Sequence, residues 1–493
     1  MTDFIRRHYK KAIVCILLMH VITHLPFLHL PPCSIHVWRQ CNTLAVARNF
    51  YEENNTITQP RVDRRYDSDG VTGMQFPAYE WGLAQIYRLT GEHYFVQRSY
   101  ALVISSIAIL CTFLFFYKYR GDPLLGVLAA WFLTWSPEWY YHSINALPDI
   151  LAFAAGTGAL AAYGEWTQRK TTGRFTLTIL LLAMAGLVKI QYGIFGGIIA
   201  ALLVHQYRRN VISKKHFFHW TIGGGVAIAI VSGWYVYANQ LIKSSGLYDY
   251  VLNIRPITNL PDALAIVKRN LISDLPELLF NYAGTMLVLI GLFNYIRPDN
   301  RKKWVAIPAF ILFILWYVVM LEQMKVHQYY MLPLLILAVF PVLNGIKWLL
   351  EGKRKIALWL LIIAMPVLAM IRILPARWMK EDLGIPSAFA DQRQLEQLIK
   401  AVPDHQPIIT LPDESGCIWL YFLHKKGFSY ADEGLFTTFN NKGELLFDEY
   451  KRRGAKWLYT PTDFFSGRGL EVPASLQLSG EIGGITIYSI TPP

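Results

Sequence analysis

A chain of 493 residues that is 54% hydrophobic, 14% aromatic and only 16% charged, with a mean hydropathy of +0.29, is too apolar for an ordinary soluble protein. Its formal charge of +13 does not by itself point to nucleic acid, because cytoplasmic loops of membrane proteins retain Lys and Arg, and no nucleic-acid partner is expected. The five cysteines (Cys15, Cys33, Cys41, Cys111 and Cys417) have no metal-like spacing, so no zinc site is expected either.

In chain order, Arg6, Arg7, Lys10 and Lys11 precede an apolar run over 12–30 with no small-residue cleavage site after it, which reads as an uncleaved first span with a cytoplasmic N-terminus. Further spans are expected near 97–117, 123–138, 149–166, 175–188, 190–206, 217–238, 276–296, 304–321, 330–348 and 356–373, making eleven. The run at 175–188 is shorter than the roughly 20 residues a full span needs, so it is tilted or breaks within the bilayer. Cations crowd the loops on one side: Lys118 and Arg120; Arg169, Lys170 and Arg174; Arg208, Arg209, Lys214 and Lys215; Arg297, Arg301, Lys302 and Lys303; Lys347, Lys353, Arg354 and Lys355. The short loops on the other side hold almost none. This asymmetry predicts a plasma (inner) membrane protein with its N-terminus inside and its C-terminus outside.

Two outer loops are long, 31–95 and 239–275, the second with a candidate surface helix over 261–272. Beyond Arg372 the apolar signal stops. Strands are predicted at 407–411, 417–422, 456–459 and 483–490, with helices at 389–401 and 443–453. The expected organisation is a transmembrane domain over 1–375, an α-helical bundle of about eleven spans, followed by an extracytoplasmic α/β domain over 376–493.

The first outer loop opens with a polar stretch at 36–51 that predicts a helix capped by Asn42 or Thr43. Leu44, Ala47 and Phe50 or Tyr51 would line one face and Arg48, Asn49, Glu52 and Glu53 the other, so the helix is expected to lie on the membrane surface. The loop continues through Arg61, Asp63, Arg64, Arg65, Asp67 and Asp69, with Gly70 and Gly73 for tight turns and Phe76-Pro77 as a corner. Other outer loops add Asp149, Lys189, Lys325 and His327. Each has a plain alternative: Asp149 as a helix cap, Lys189 as a snorkelling cation, His327 as part of an aromatic belt. Their position at one membrane face favours a functional reading.

Trp38-Arg-Gln-Cys-Asn-Thr-Leu-Ala-Val-Ala-Arg-Asn-Phe-Tyr51 resembles the first-loop motif of bacterial membrane glycosyltransferases of the GT-C superfamily, usually Trp-Arg-Gln-x-Asp-Thr followed by Ala-Arg-Asn-Phe. These are similar to the dolichyl-phosphate-mannose protein mannosyltransferases and the aminoarabinose transferase of lipid A. Gly73-Met-Gln-Phe-Pro77 resembles their Gly-x-Glu-Phe-Pro, Leu147-Pro-Asp149 their second-loop Pro-Asp, and His327-Gln-Tyr-Tyr330 their His-x-Tyr-Tyr. The resemblance implies a sugar donor carried on a polyprenyl phosphate, an envelope glycan, lipid or protein acceptor, surrounding membrane lipids, and inverting transfer on the outer face.

The sequence departs from that pattern at two positions. Asn42 stands where the resemblance implies the catalytic Asp, and Gln75 where it implies a Glu that ligates a metal in some members. An amide cannot accept the acceptor's proton near neutral pH. Either another carboxylate serves, or the reaction does not need this base, or the chain binds a lipid-linked sugar without turning it over. A lipid or solute transporter is a further alternative, although its polar residues would sit inside broken spans rather than at one surface.

Asp63 is the first candidate base and Asp149 the second, with Asn42 positioning substrate. Trp38, Arg39, Gln40, Arg48, Gln75, Lys189, Lys325, His327 and Tyr330 are candidates for sugar or phosphate binding, joined by Arg372 or Arg377 as sources of positive charge. No metal ligand set is expected; the resemblance leaves room for a divalent cation, for which the amide at position 75 is a poorer ligand than a carboxylate.

Overall fold

A computed structural model describes residues 2–248, 250, 252, 257–296, 303–351, 354–378 and 385–491, with the backbone alone at 296 and 303–310. Among the expected inner-loop cations, Arg297, Arg301, Lys302 and Lys353 lie outside the described residues, as does part of the 239–275 loop. The chain divides into two compact units.

The first unit comprises Met1–Pro31, His93–Val236 and Leu252–Lys380. It is helical. Among the described residues five helices are long and apolar enough to cross a membrane: Tyr9–Phe27, Tyr94–Arg120, Ile190–Arg208, Lys214–Ser245 and Lys355–Trp378. A sixth crossing is available if the pair Leu260–Leu279 and Tyr282–Tyr295, bent by 112°, acts as one broken span. The expected count of eleven is therefore not reached by length and apolarity. The runs predicted near 123–138, 175–188 and 330–348 give shorter apolar helices, Pro123–Thr134, Thr172–Val188 and Leu334–Leu350, below the roughly 20 residues of a straight crossing, while the run near 304–321 forms the 18-residue helix Lys303–Met320. The predicted 149–166 run is a helix, Pro148–Arg169, diluted by Thr, Gly and charged residues.

Close helix packing in this unit rests on small residues, the usual device where lipid removes the hydrophobic drive between helices. A Cβ on Gly291 would lie 1.8 Å from the carbonyl oxygen of Pro341, and one on Gly345 would lie 2.4 Å from that of Leu287, so the helices Tyr282–Ile296 and Leu334–Leu350 touch backbone to backbone. Elsewhere apolar side chains face outward: Phe218, Ile222, Val226 and Ile230 on Lys214–Ser245 are exposed, as a lipid-facing helix requires.

The second unit gathers Pro32–Glu92, Tyr237–Val251 and Glu381–Pro493. The first long loop thus clusters with the C-terminal region, and the compact units do not follow the linear boundary at 375/376. The unit's sheet has five strands, β1 Ile408–Thr410, β2 Gly427–Ser429, β3 Trp457–Pro461, β4 Leu476–Ile482 and β5 Ile485–Ile490, in the order β2-β1-β3-β5-β4. β1 is parallel to β2 and β3, while β5 runs antiparallel to β3 and β4. Ile409, Leu411, Phe428, Phe447 and Leu458 form the core against it.

The edge strand β2 is covered by the first loop. The Tyr66 N–H donates to the Gly427 carbonyl at 2.9 Å, the Gly427 N–H donates to the Asp63 carbonyl at 3.0 Å, and the Tyr66 ring meets Phe428 at 5.5 Å. Such cover removes an open hydrogen-bonding edge.

One predicted strand is a helix. Residues 418–422 form Ile418–Phe422 because Asp413 and Ser415 cap it: Asp413 Oδ2 accepts from the Trp419 N–H at 3.0 Å and Ser415 Oγ from the Ile418 N–H at 3.1 Å.

Candidate functional site

In the second unit the helix predicted at 36–51 forms as Val37–Glu52, led in by His36 in a left-handed conformation with φ of 61°. It begins a turn earlier than the caps proposed at Asn42 or Thr43, which lie inside it. The expectation of a helix lying on the membrane surface is corrected by its burial: both faces are enclosed, and Arg39, Gln40, Asn42, Arg48 and Asn49 are all buried.

Arg48 is held by a fork. Its Nε and one terminal nitrogen donate to the two oxygens of Glu92, both at 2.9 Å, the other terminal nitrogen donates to the Tyr421 carbonyl at 2.8 Å, and the guanidinium sits 4.3 Å from the Tyr421 ring centroid. Burial disfavours its charge, but Glu92 more than offsets this and raises the pKa above the usual arginine value. Arg48 is thereby a clasp between segments. Gln40 also serves the backbone, donating to the Cys33 carbonyl at 2.9 Å, and the Trp38 carbonyl receives the Cys417 thiol at 3.3 Å.

Asp63 is buried, with Oδ1 accepting from Asn49 Nδ2 at 2.9 Å. Its neighbour Arg65 turns away to Glu53 at 2.8 Å. Asn42 Oδ1 accepts from the Tyr250 hydroxyl at 2.7 Å, and the Arg39 guanidinium lies 5.2 Å from the Tyr250 ring centroid. Gln75 is buried, and its Nε2 has no hydrogen-bond partner among the described residues. Its neighbour Met74 packs in the same apolar cluster as Tyr250 and Val46.

The first unit holds a separate cluster. Asp149, fully buried in the first turn of Pro148–Arg169, faces Lys189 Nζ at 3.3 Å and accepts from Gln191 Nε2 at 3.4 Å. Its helix starts at Pro148 with Leu147 as the preceding residue, so Asp149 is not the cap. The Lys189 ammonium lies 5.1 Å from the Tyr330 ring centroid and 5.6 Å from that of Tyr329, and the His327 ring stacks on Tyr329 at 5.5 Å and lies tilted against Tyr330 at 5.9 Å. Asp149, Lys189, His327 and Tyr330 thus come together. Lys325 does not join them: its ammonium pairs with exposed Asp262 at 3.0 Å. Arg372 pairs with Glu277 at 2.9 Å.

The cluster continues through His142 and Glu138, which sequence reading passed over, to Arg377, which it expected as a source of positive charge. Tyr329 stands edge-on to His142 at 5.8 Å; His142 Nε2 is 3.0 Å from Glu138 Oε1, and Arg377 donates to Glu138 Oε2 at 3.1 Å. The available signal was the spacing of Glu138 and His142, four apart on the short, otherwise aromatic helix Pro137–His142.

No family model and no curated protein sequence matches the chain. Solved structures do. The crystal structure of ArnT from Cupriavidus metallidurans bound to undecaprenyl phosphate aligns with a TM-score of 0.62 over 97% of each chain, at 13% identity. The archaeal oligosaccharyltransferase AglB from Archaeoglobus fulgidus, in complex with an inhibitory peptide and a dolichol-phosphate, aligns at 0.60 over 93% of this chain and 70% of that one, at 12% identity. The chain has the GT-C fold. A third GT-C structure, the arabinofuranosyltransferase AftD from Mycobacteria, aligns at 0.55 over 99% of this chain and 40% of that one, at 14% identity.

Within this GT-C fold a divalent cation does not fit the donor set. No group of three or more His, Cys, Asp and Glu side chains among the described residues is placed to hold a metal ion, and the oxygen of Asn42 is already engaged by Tyr250. Asp63 and Asp149, the two candidate bases, belong to different compact units, each with its own partners.

Proposed function

We propose that the chain is a membrane glycosyltransferase that moves a hexose or pentose from a polyprenyl-phosphate donor to an envelope glycan, lipid or protein acceptor, with inversion. It works on the outer face of the inner membrane, with about eleven spans, the N-terminus inside and residues 376–493 outside. The observation that carries this reading is the GT-C fold shared along the whole length with ArnT, whose structure holds undecaprenyl phosphate. The first-loop motif and the cluster of buried Asp149 and Lys189 with half-buried His327 and Tyr330 support it.

In this reading the acceptor hydroxyl attacks the anomeric carbon, the bond from that carbon to the phosphate oxygen breaks, and the hydroxyl proton passes to a carboxylate. Lys189, already desolvated among aromatic rings, meets the charge that grows on the departing phosphate. Asp149 holds Lys189 in place and accepts the proton, or Asp63 accepts it. The test is transfer by purified protein in liposomes given undecaprenyl-phosphoryl sugars, with mass spectrometry of envelope lipids and glycans from cells with and without the gene. Loss of general-base catalysis costs about 100- to 10,000-fold in rate, so Asp149→Asn or Asp63→Asn is expected to remove transfer on that scale with donor binding retained. If neither lowers transfer by more than about tenfold, the scale of one neutral hydrogen bond, the base lies elsewhere.

The amides at positions 42 and 75 favour a second reading, a relative that binds lipid-linked sugar without turning it over. Transfer that is absent from the wild type with every lipid-linked sugar, yet present in Asn42→Asp, would establish it.

A further inference from the structure

We infer that the helix Leu260–Leu279 lies in the membrane surface with its outward face among lipid headgroups and upper acyl chains, and that it holds the segment carrying His327 and Tyr330 at that level. The helix is bent by 112° against Tyr282–Tyr295. If the second of these crosses the bilayer, the first runs close to the membrane plane. Its composition agrees, since Asp262, Lys268, Arg269, Asp274 and Glu277 all fall within it, too many ionisable groups for a segment inside hydrocarbon.

The two sides of the helix differ. Leu260, Leu264, Leu271 and Ile272 are 60–71% exposed, and with exposed Lys268 they recur at every third or fourth position, which is one helical face. Ile266, Asn270, Asp274 and Leu278 are buried on the other. The next helix, Tyr282–Ile296, exposes Tyr282, Met286, Leu289 and Phe293 at the same spacing, so the apolar surface resumes directly after the bend. A stripe of this kind on a membrane-crossing helix faces lipid, which assigns lipid to the face that leads into it. Lys268, in the middle of that face, has a flexible stem that carries its ammonium to headgroup phosphate.

The opposite side grips a neighbouring turn. Arg269 donates to the Lys325 carbonyl at 2.8 Å and to the Met324 carbonyl, while its Nε pairs with Asp274 at 2.9 Å. Asn270 Nδ2 donates to the Tyr317 hydroxyl at 2.9 Å, and the Lys325 ammonium returns to Asp262 at 3.0 Å. The His327 N–H then closes the turn on the Gln323 carbonyl at 3.2 Å. The 323–327 turn is thereby tied to the helix, and His327 and Tyr330 carry that tie to one side of the Lys189 cluster.

The test is a depth measurement on the full chain in nanodiscs, with the five native cysteines replaced by serine and one fluorophore at Leu264→Cys, Leu271→Cys or Val326→Cys, all exposed positions. Val226→Cys, on the outward face of Lys214–Ser245, is the deep reference. Lipids carry a nitroxide either near the headgroup or at the tail end. The first three positions are expected to be quenched by the shallow nitroxide, at the ~5–10 Å depth of an interfacial helix, and Val226→Cys by the deep one. Leu264→Glu with Leu271→Glu, both on the exposed face, is expected to keep the thermal midpoint in detergent and to abolish shallow quenching at Ala265→Cys and at Val326→Cys together; Leu264→Ser with Leu271→Ser replaces it if the glutamates prevent folding. Quenching at Leu264→Cys and Leu271→Cys by neither lipid, or by the deep one, would overturn the surface seat, as would self-quenching between labelled copies, which gives the face to a second copy of this chain. Loss at Ala265→Cys with retention at Val326→Cys would overturn the tie to the 323–327 turn, and retention at both would overturn the assigned face. No turnover is needed, so these depths and the transfer assay fail separately.

Discussion

Arg48 shows how the same side chain changes meaning with its surroundings. On a helix lying at a membrane surface it would be a free cation for a lipid phosphate; here it is forked onto Glu92 and hydrogen-bonded to the Tyr421 carbonyl. Removing one partner of a buried ion pair costs about 3–5 kcal/mol, and the partial exposure of Glu92 places this pair at the lower end. Arg48→Ala is therefore expected to lower stability by about 3 kcal/mol, measured by chemical or thermal unfolding, with any loss of transfer following the loss of folded protein. A variant that folds as well as the wild type and has lost only donor binding would return Arg48 to the substrate. The sequence marked Arg48 and Asn42 as special but not what each does. Glu92 lies 44 residues from Arg48, Tyr421 lies 373, and Tyr250 lies 208 from Asn42. No local pattern encodes such pairings. Asp149, Lys189 and Tyr330 were legible as a group because each falls at an end of an apolar run that the cation pattern assigns to the same side.

Among the elements, the C-terminal end of the helix Val37–Glu52 is tied down by charge. Glu53 receives Arg61 and Arg65, both at 2.8 Å, and Lys426, which joins the helix end to the first loop and to the segment leading into β2. Burial opposes ionisation of this carboxyl, but the cations outweigh it and lower its pKa from 4.5 to about 2. A carboxyl depressed in the folded state contributes its full stability above the unfolded pKa of about 4.3 and loses it as the pH falls toward the folded value. The wild type is thus expected to lose stability between about pH 4.5 and pH 2. Glu53→Gln should be less stable at pH 7 and show a shallower decline over that window, read from unfolding midpoints against pH. Equal slopes for the two proteins would remove the clamp from the account of acid stability. The elements were legible where local chemistry was strong: the strands expected at 407–411, 456–459 and 483–490 form as Ile408–Thr410, Trp457–Pro461 and Ile485–Ile490. The strands Gly427–Ser429 and Leu476–Ile482 were missed, the first because three residues carry no period, and Ile418–Phe422 was misread, because its apolar run outweighed the Asp413 and Ser415 caps ahead of it.

At the scale of the whole molecule, hydropathy reported the class and overstated the simplicity of the crossings. Eleven apolar runs are readable, yet five helices pass the length and apolarity of a crossing among the described residues, or six with the pair bent by 112°. Composition separates the two readings. Buried helices in a polytopic protein contact protein on most sides, so a segment such as Pro148–Arg169 tolerates Thr, Gly and Asp149 that a lipid-facing helix would not. Short helices can cross where neighbours supply the missing backbone partners. The proposed orientation therefore rests on the cations rather than on the count. Arg208, Arg209, Lys214 and Lys215 flank Ser213, which is exposed, and Ser466 in the sheet-bearing unit is exposed as well, so burial does not decide which of the two is labelled. In a background with the five native cysteines replaced by serine, Ser213→Cys is expected to be protected from a membrane-impermeant maleimide in intact cells and to react once the membrane is permeabilised. Ser466→Cys should react in both, after the outer membrane, where there is one, is made porous. Labelling of Ser213→Cys in intact cells would reverse the orientation, and the proposed active face with it: Asp149, Lys189 and His327 would then open to the cytoplasm, where a donor on the outer leaflet cannot reach them.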